Sequence, residues 1–306
     1  MVSGRPYRWT IAAFLAPALL IYTGFLILPI ADSLRLSLYG QVAGQPDHFV
    51  GLDNYATLFG SPEWAPHFWK ALGNNAIFFA IHLCVQNPVG LLLAALLSGK
   101  RLFGRAIYRT LIFTPTMLSV VIVGFVWQLM LSPLWGVGKH ILGLVWLGGL
   151  FRPWLGLESS ALVTLGLISV WQFVGIPLML FTAALLQIPE DVIEAARIDG
   201  ASAMQVFWRI KLPLILPTVG IVAILTYVGN FNAFDLVYAV KGALAGPNFS
   251  TDLLGTFFYR SFFGYQLQAG NPGMGATVAT VMFVIILAGV ALYLFGVQRR
   301  MARYEL

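Results

Sequence analysis

The sequence predicts an all-α polytopic membrane protein: six transmembrane helices with both termini in the cytoplasm. Three observations carry that prediction. Of 306 residues, 59% are apolar and only 10% charged, against roughly 25% charged in a soluble domain, so the chain lacks the charge to cover a water-facing surface. Six apolar stretches reach the ~20 residues that cross a hydrocarbon layer of ~30 Å. The 18 Lys and Arg residues sort by side. Twelve (Arg5, Arg8, Lys100, Arg101, Arg105, Arg109, Arg197, Arg209, Lys211, Arg299, Arg300 and Arg303) fall at the termini and in the even-numbered loops. Six (Arg35, Lys70, Lys139, Arg152, Lys241 and Arg260) fall on the other side. The excess of basic residues marks the cytoplasmic side.

The first span covers 9–34. Arg5 and Arg8 before it resemble the basic start of a signal peptide. The apolar run is longer than the ~7–15 residues of such a peptide and has no clear cleavage site, so it reads as a retained helix. The second span, 72–98, carries Asn75, Phe78, Phe79, His82 and Gln86 on one face, a spacing that suits hydrogen bonding between helices. Cys84 lies in this span, and as the single cysteine it excludes an internal disulfide. The third span is 111–131. Pro133 to Ser160 follow, too broken by glycine to cross. With Trp135, Trp146 and Trp154 they read as a partly helical segment at the outer interface, where indoles concentrate. The remaining spans are 161–186, 214–240 and 274–297. Pro17, Pro29, Pro88, Pro115 and Pro177 fall inside spans, where neighbouring helices satisfy the freed backbone groups.

The cytoplasmic segment between the fourth and fifth spans, 187–213, has clear local grammar. Pro189 suits a first helical position, and Glu190 and Asp191 suit the positive end of a helix dipole. Gly200 suits the position after a helix end, where φ > 0 is needed. A second short helix is expected from about Ser202 to Lys211, ending before Pro213. By composition alone the pair could lie on the bilayer surface.

The residues of that loop go further. Glu194-Ala195-Ala196, then Asp199-Gly200-Ala201, then Ile210, Leu212-Pro213 and Pro217 resemble the "EAA" signature of the permease subunits of binding-protein-dependent ABC importers. The motif covers about 30 residues, and the six-helix layout extends the likeness over nearly the whole chain. The resemblance implies a single type I ABC importer permease domain over 1–306, with the loop acting as a coupling helix docked on a separate ATPase. Glu194 would contact basic groups there, Ala195 and Ala196 would allow close approach, and Gly200 would set the angle between the helices. It further implies two ATP-binding subunits holding ATP and magnesium, a second similar permease, and an extracytoplasmic substrate-binding protein. It places the chain in the inner membrane of a prokaryote, with no cofactor of its own. The residues agree that ATP is not hydrolysed here: Gly99-Lys100 and Gly138-Lys139 both fail the phosphate-loop pattern, as Ala94 and Pro133 stand where its first glycine belongs.

A second resemblance concerns substrate. Phe231-Asn232-Ala233-Phe234-Asp235-Leu236-Val237-Tyr238 is similar to a segment of maltose- and glycerol-phosphate-type permeases, as are Phe49 to Tyr55 and the Gly273–Gly275–Ala276 opening of the last helix. Ala243-Leu244-Ala245 depart from it, since relatives often carry a denser glycine cluster there. At 100° per residue, Tyr227, Asn230, Phe231, Phe234, Asp235 and Tyr238 share one face of the fifth span. That face suits a sugar: aromatic rings stack on its C–H face, and amide and carboxylate groups bond its hydroxyls. Asp235 could instead cap a neighbouring helix or pair with Lys241. Gln128 and Gln172 could reach a central cavity. The spans hold essentially no basic residues, which favours a neutral di- or oligosaccharide over a glycerol-phosphate ester. A secondary transporter would need buried carboxylates for a coupling ion, and Asp235 is the one candidate.

Overall fold

The computed structural model describes residues 6–40, 48–99, 103–144, 146, 148–266 and 268–298. Lys100, Arg101, Arg299, Arg300 and Arg303, which the charge argument uses, lie outside the described residues, as does Arg5. Helix dominates throughout. Among the described residues, four helices are long and apolar enough to cross a membrane: Trp9–Leu36, Ala65–Leu97, Leu216–Lys241 and Pro272–Gly296. Two bent pairs complete the set if each counts as one span. The second helix opens seven residues earlier than expected, at Ala65. Pro66 is no obstacle, because a first-turn N–H has no partner to lose.

The third and fourth stretches are not straight rods. Arg105–Met117 and Val120–Met130 meet at 96°, and Glu158–Phe173 and Gly175–Gln187 meet at 45°. In the third, the helix tightens over Thr114–Met117 and breaks at Leu118 and Ser119, whose ψ values of 143° and 130° are extended. Pro115 opens that tight turn, and Thr114 and Thr116 turn their hydroxyls back onto the carbonyls of Thr110 and Phe113 at 2.7 and 2.6 Å. Such local bonds compete with the helix. In the fourth, Pro177 cannot donate to the carbonyl of Phe173, which frees the backbone where the two halves meet.

Three further prolines follow wide turns, while Pro17 lies inside the α-helix Pro6–Tyr22. Single π-helical turns occupy Thr23–Ile27, His82–Gln86 and Phe207–Lys211, and each ends two residues before a proline: Pro29, Pro88 and Pro213. The N–H groups of Leu28, Asn87 and Leu212 reach back five residues, to Thr23, His82 and Phe207. The widened turn lets the chain continue past a residue that has no N–H and whose ring would strike the carbonyl four positions back. This overturns one expectation: the helix after Gly200 does not end before Pro213 but runs through it to Leu214.

Two compact units emerge. One comprises Met1–Ala65 with Phe258–Val281. It holds the only departures from all-α structure among the described residues, two-residue antiparallel ladders pairing Tyr39–Gly40 with His48–Phe49 and Gly264–Tyr265 with Gln268–Ala269. Asn54 secures the first, donating to the carbonyls of Ser37 and Tyr39 at 2.9 and 3.0 Å. Gly275 is needed where it stands, since a Cβ there would lie 2.6 Å from that of Phe262.

The other unit comprises Pro66–Phe257 with Met282–Leu306. Its core includes two clusters of described residues. One gathers Phe78, Val123, Leu165, Val237 and Leu253, and the other Ala94, Leu97, Leu178, Phe181, Leu185 and Ile215. Gly90 permits the close passage of the second and fourth spans, since a Cβ there would sit 2.9 Å from the Pro177 ring. Asn75 is fully buried and joins three segments. Its Nδ2 donates to the carbonyl of Asn230 at 2.8 Å, and its Oδ1 accepts from the N–H of Leu254 at 2.7 Å. Replacing Asn75 by Ala strands both groups at about 1–3 kcal/mol each. Thermal unfolding of the purified chain should show a large loss for Asn75→Ala and a smaller one for Asn75→Asp, which keeps the acceptor.

Candidate functional site

Two features of the larger unit meet the chemical expectations. The first is the loop after the fourth span. A helix runs over Glu190–Ile198 with Glu190 and Asp191 in its first turn. Pro189 is its N-cap rather than its first helical residue. Asp199 ends it, and Gly200 follows at φ +82°. The N–H of Ala201 bonds the carbonyl of Ala196 at 2.9 Å, and that of Gly200 bonds Arg197 at 3.1 Å. This pair of bonds is a Schellman closure, which needs the left-handed residue that glycine supplies most cheaply. Ser202 then opens the next helix with a reciprocal capping box: its Oγ accepts from Gln205 N–H, and Gln205 Oε1 accepts from Ser202 N–H at 2.7 Å. Asp199-Gly200-Ala201-Ser202 is thus a turn with every step specified.

That turn stands proud of the core but is not loose. Ile193, Leu212 and Leu214 pack on the cluster of Leu97, Leu185, Ile188 and Ile215, and Val206 is buried. Glu194, Ala195, Asp199 and Gly200 are exposed, Ala196 and Ala201 half-buried. Ile198, Met204 and Trp208 also expose most of their surface, at 86%, 66% and 58%. The result is a rigid projection with a carboxylate at Glu194, small residues beside it and apolar residues around it. Leu212 and Pro213, half-buried, belong to the base of the projection.

The second feature is a cavity of about 460 Å³ walled by the second to fifth spans, inside the ~300–1,000 Å³ range of small-molecule sites. Its polar lining comes from His82, Gln86, Ser169, Thr226, Asn230, Asn232 and Asp235, and its aromatic lining from Phe78, Phe173 and Phe234. His82 is buried between the Phe78 carbonyl, 2.8 Å from Nδ1, and the Ser169 hydroxyl, 2.9 Å from Nε2. Asn230 donates through Nδ2 to the Thr226 carbonyl at 2.7 Å. Gln86 Oε1 and Asn230 Oδ1 are both buried and have no donor among the described residues. Both oxygens sit in the cavity wall, closed off from the hollow itself, and a turn of either amide would present its unpaired acceptor to a hydroxyl donor inside.

The expected face of the fifth span divides. The helix stops at Phe231 and restarts at Asp235, with Phe234 at φ −146° between them. A uniform 100° advance therefore fails across the break. Asn230, Phe234 and Asp235 line the cavity, while Tyr227, Phe231 and Tyr238 do not. The Tyr227 hydroxyl donates to the Ile285 carbonyl at 2.7 Å, and its ring meets Phe79 and Phe231. Tyr238 stacks on Phe234 with centroids 4.9 Å apart. Gln172 is fully buried and does not reach the cavity either; its Nε2 donates to the Leu118 carbonyl at 3.1 Å. Gln128 lines a separate hollow near Lys241. Lys241 donates to the Leu155 carbonyl, so Asp235 is not tied to it. Ser169, Phe173 and Thr226 escaped the sequence reading because nothing in their local spacing marks them. The i, i+4 row Phe78–His82–Gln86 was visible and reads correctly as a helix–helix seam, which is also a cavity wall.

Comparison with known proteins adds to this geometry. The sequence profile of the family described as "Binding-protein-dependent transport system inner membrane component" matches residues 86–303. The chain is similar to the probable ABC transporter permease protein YurN of Bacillus subtilis, at 33% identity over 90% of this chain and 91% of that one. It is similar to the trehalose/maltose transport system permease protein MalF of Thermococcus litoralis, at 30% identity over 91% and 90% of the two chains. The lactose transport system permease protein LacF of Rhizobium radiobacter is 31% identical over 90% and 88%. Among solved structures, a chain of a bacterial alginate ABC transporter, crystallised with an alginate pentasaccharide-bound periplasmic protein, superposes with a TM-score of 0.81. The superposition covers 97% of this chain and 96% of that one at 22% identity, a likeness of fold.

Proposed function

We propose, on the premise that this chain belongs to the family of binding-protein-dependent transport system inner membrane components, that it forms half of the path by which an ATP-driven importer carries a sugar. The observation that carries the proposal is continuity. One stretch of chain supplies the cavity wall at Ser169 and Phe173, bends by 45° at Val174, runs down Gly175–Gln187, and leads directly into the projection of Glu190–Ile198. A ligand site and an exposed protein-docking element are ends of one lever.

The projection docks on an ATP-binding subunit, with Glu194 toward its basic groups and Ala195 and Ala196 allowing close approach. The machinery comprises a second permease, two such subunits that hold ATP and magnesium, and an extracytoplasmic binding protein that delivers the sugar. This chain holds no cofactor. It lies in the inner membrane with both termini in the cytoplasm.

A neutral di- or oligosaccharide is the cargo. The names of the trehalose/maltose and lactose relatives support this, and so does the cavity: its described lining offers acceptors and aromatic rings, with one carboxylate and neither Lys nor Arg. A phosphate ester would meet Asp235 with nothing to offset its charge. Asn230, Phe234 and Asp235 stand in the path. Tyr227, Phe231 and Tyr238 brace it from behind.

The test is purification of the chain from detergent-solubilised membranes with whatever accompanies it, followed by ATP hydrolysis assays with loaded binding proteins and a panel of sugars and glycerol phosphates. An ATPase, a second permease and a binding protein should co-purify, and one neutral sugar should stimulate hydrolysis. A chain that purifies alone and transports without ATP refutes the proposal. Stimulation by glycerol phosphate alone refutes the cargo.

A further inference from the structure

The two bent spans meet each other at their elbows. Leu118 and Ser119 form the elbow of the third, and Val174 that of the fourth. Gly175 passes so close to the third span that a Cβ there would lie 2.8 Å from Phe113 Cα. Gln172, two residues before Val174, donates to the Leu118 carbonyl at 3.1 Å. That carbonyl is a product of the break. In an unbroken helix it would accept from residue 122, whereas here the next helix begins at Val120 and its first closing bond runs from Val123 to Ser119. Trp171 meets Trp127 edge-on, centroids 5.5 Å apart, and adds a second brace beyond the elbow.

Gln172 is a poor choice for stability alone. It is fully buried, and its Oε1 has no donor among the described residues. An orphaned buried acceptor loses its hydration without return, a penalty that an apolar side chain of the same size avoids. Its placement explains its polarity. Ser169 and Phe173 face the cavity from one side of the helix, Val120 lines the cavity just past the elbow, and Gln172 ties the backbone behind both.

We infer that Gln172 is a positioning residue that latches the two elbows together, so that movement of the Glu190–Ile198 projection reaches the Val120 wall of the cavity through the fourth span. The latch turns two hinged spans into one moving body. Without it, the fourth span swings while the third stays behind, and ATP is spent without reshaping the cavity. This rests on the projection's role as the ATPase contact.

Spin labels test it in the complete reconstituted complex, at Met117→Cys and Leu186→Cys with Cys84→Ser. Met117 and Leu186 expose 77% and 57% of their surface. The distance between the labels should be the same in the nucleotide-free and ATP-trapped states. Gln172→Met keeps length and bulk but loses the bond. It should broaden that distance between states and lower the sugar moved per ATP by up to about tenfold, the worth of one buried hydrogen bond. A purely structural role would lower yield or thermal stability without changing that ratio. A label distance that shifts between states with Gln172 intact overturns the latch, as does a wild-type ratio in Gln172→Met. The label distance needs no variant at 172, so a misfolded Gln172→Met leaves the test standing. Should the projection not be the ATPase contact, Gly200→Pro transports normally. Should only the latch be wrong, Gly200→Pro still uncouples.

Discussion

Gly200→Pro leaves the complex in the membrane and abolishes sugar uptake. Gly200 sits at φ +82°, and the proline ring holds φ near −65°. The same substitution removes the N–H that closes onto Arg197. The left-handed turn cannot form, at a local cost of about 3 kcal/mol or more. The Ser202 capping box then loses its fixed orientation to the preceding helix. The core is untouched, because Ile193 and Val206 are anchored on either side of the turn. Gly200→Ala provides the graded control: an L-residue in this conformation costs about 1–2 kcal/mol, so uptake should fall without vanishing. Glu194→Ala should also uncouple, by removing the exposed carboxylate. Uptake and binding-protein-stimulated ATP hydrolysis in proteoliposomes decide the matter. Hydrolysis without uptake is the expected signature, and normal uptake by both Gly200→Pro and Glu194→Ala would falsify the coupling role.

Asn230→Leu should cut uptake by a larger factor than any neutral change in the cavity. It removes the unpaired Oδ1 acceptor and the bond to Thr226 while leaving the backbone carbonyl that Asn75 holds. Loss of one neutral hydrogen bond to the sugar is worth about 0.5–1.5 kcal/mol, or three- to tenfold, and an apolar group facing a hydroxyl adds a desolvation cost of similar size. Asp235→Asn is the informative companion. Asp235 is exposed at the start of the Asp235–Lys241 helix and lines the cavity. A bond to a charged acceptor is worth about 1.5–3 kcal/mol, so uptake should weaken by roughly ten- to a hundredfold with assembly and basal ATP hydrolysis unchanged. Rates measured against sugar concentration separate weaker binding from slower turnover. Unaltered uptake in both variants would show that the sugar passes elsewhere.

The sequence by itself determined whatever depends on local chemistry or on totals along the chain. Apolar run lengths located the helical stretches, and their edges erred at Ala65, where Pro66 is tolerated in a first turn, and at Arg105, where the helix starts ahead of Leu111. The loop grammar of Glu190, Asp191, Gly200 and Ser202 was readable because helix ends are closed by neighbours within a few residues. The tertiary structure alone decided which side chains share the cavity. Tyr227, Phe231 and Tyr238 fit a helical face on paper, but the break at 232–234 turns that face, and Asn75 ties the Asn230 carbonyl at its edge to the Leu254 region. The role of Gln172 was hidden for the same reason. Its partner is a carbonyl 54 positions away, freed by a bend that proline and threonine permit but do not dictate. Periodicity extrapolates a regular helix, and function here collects where the helices stop being regular.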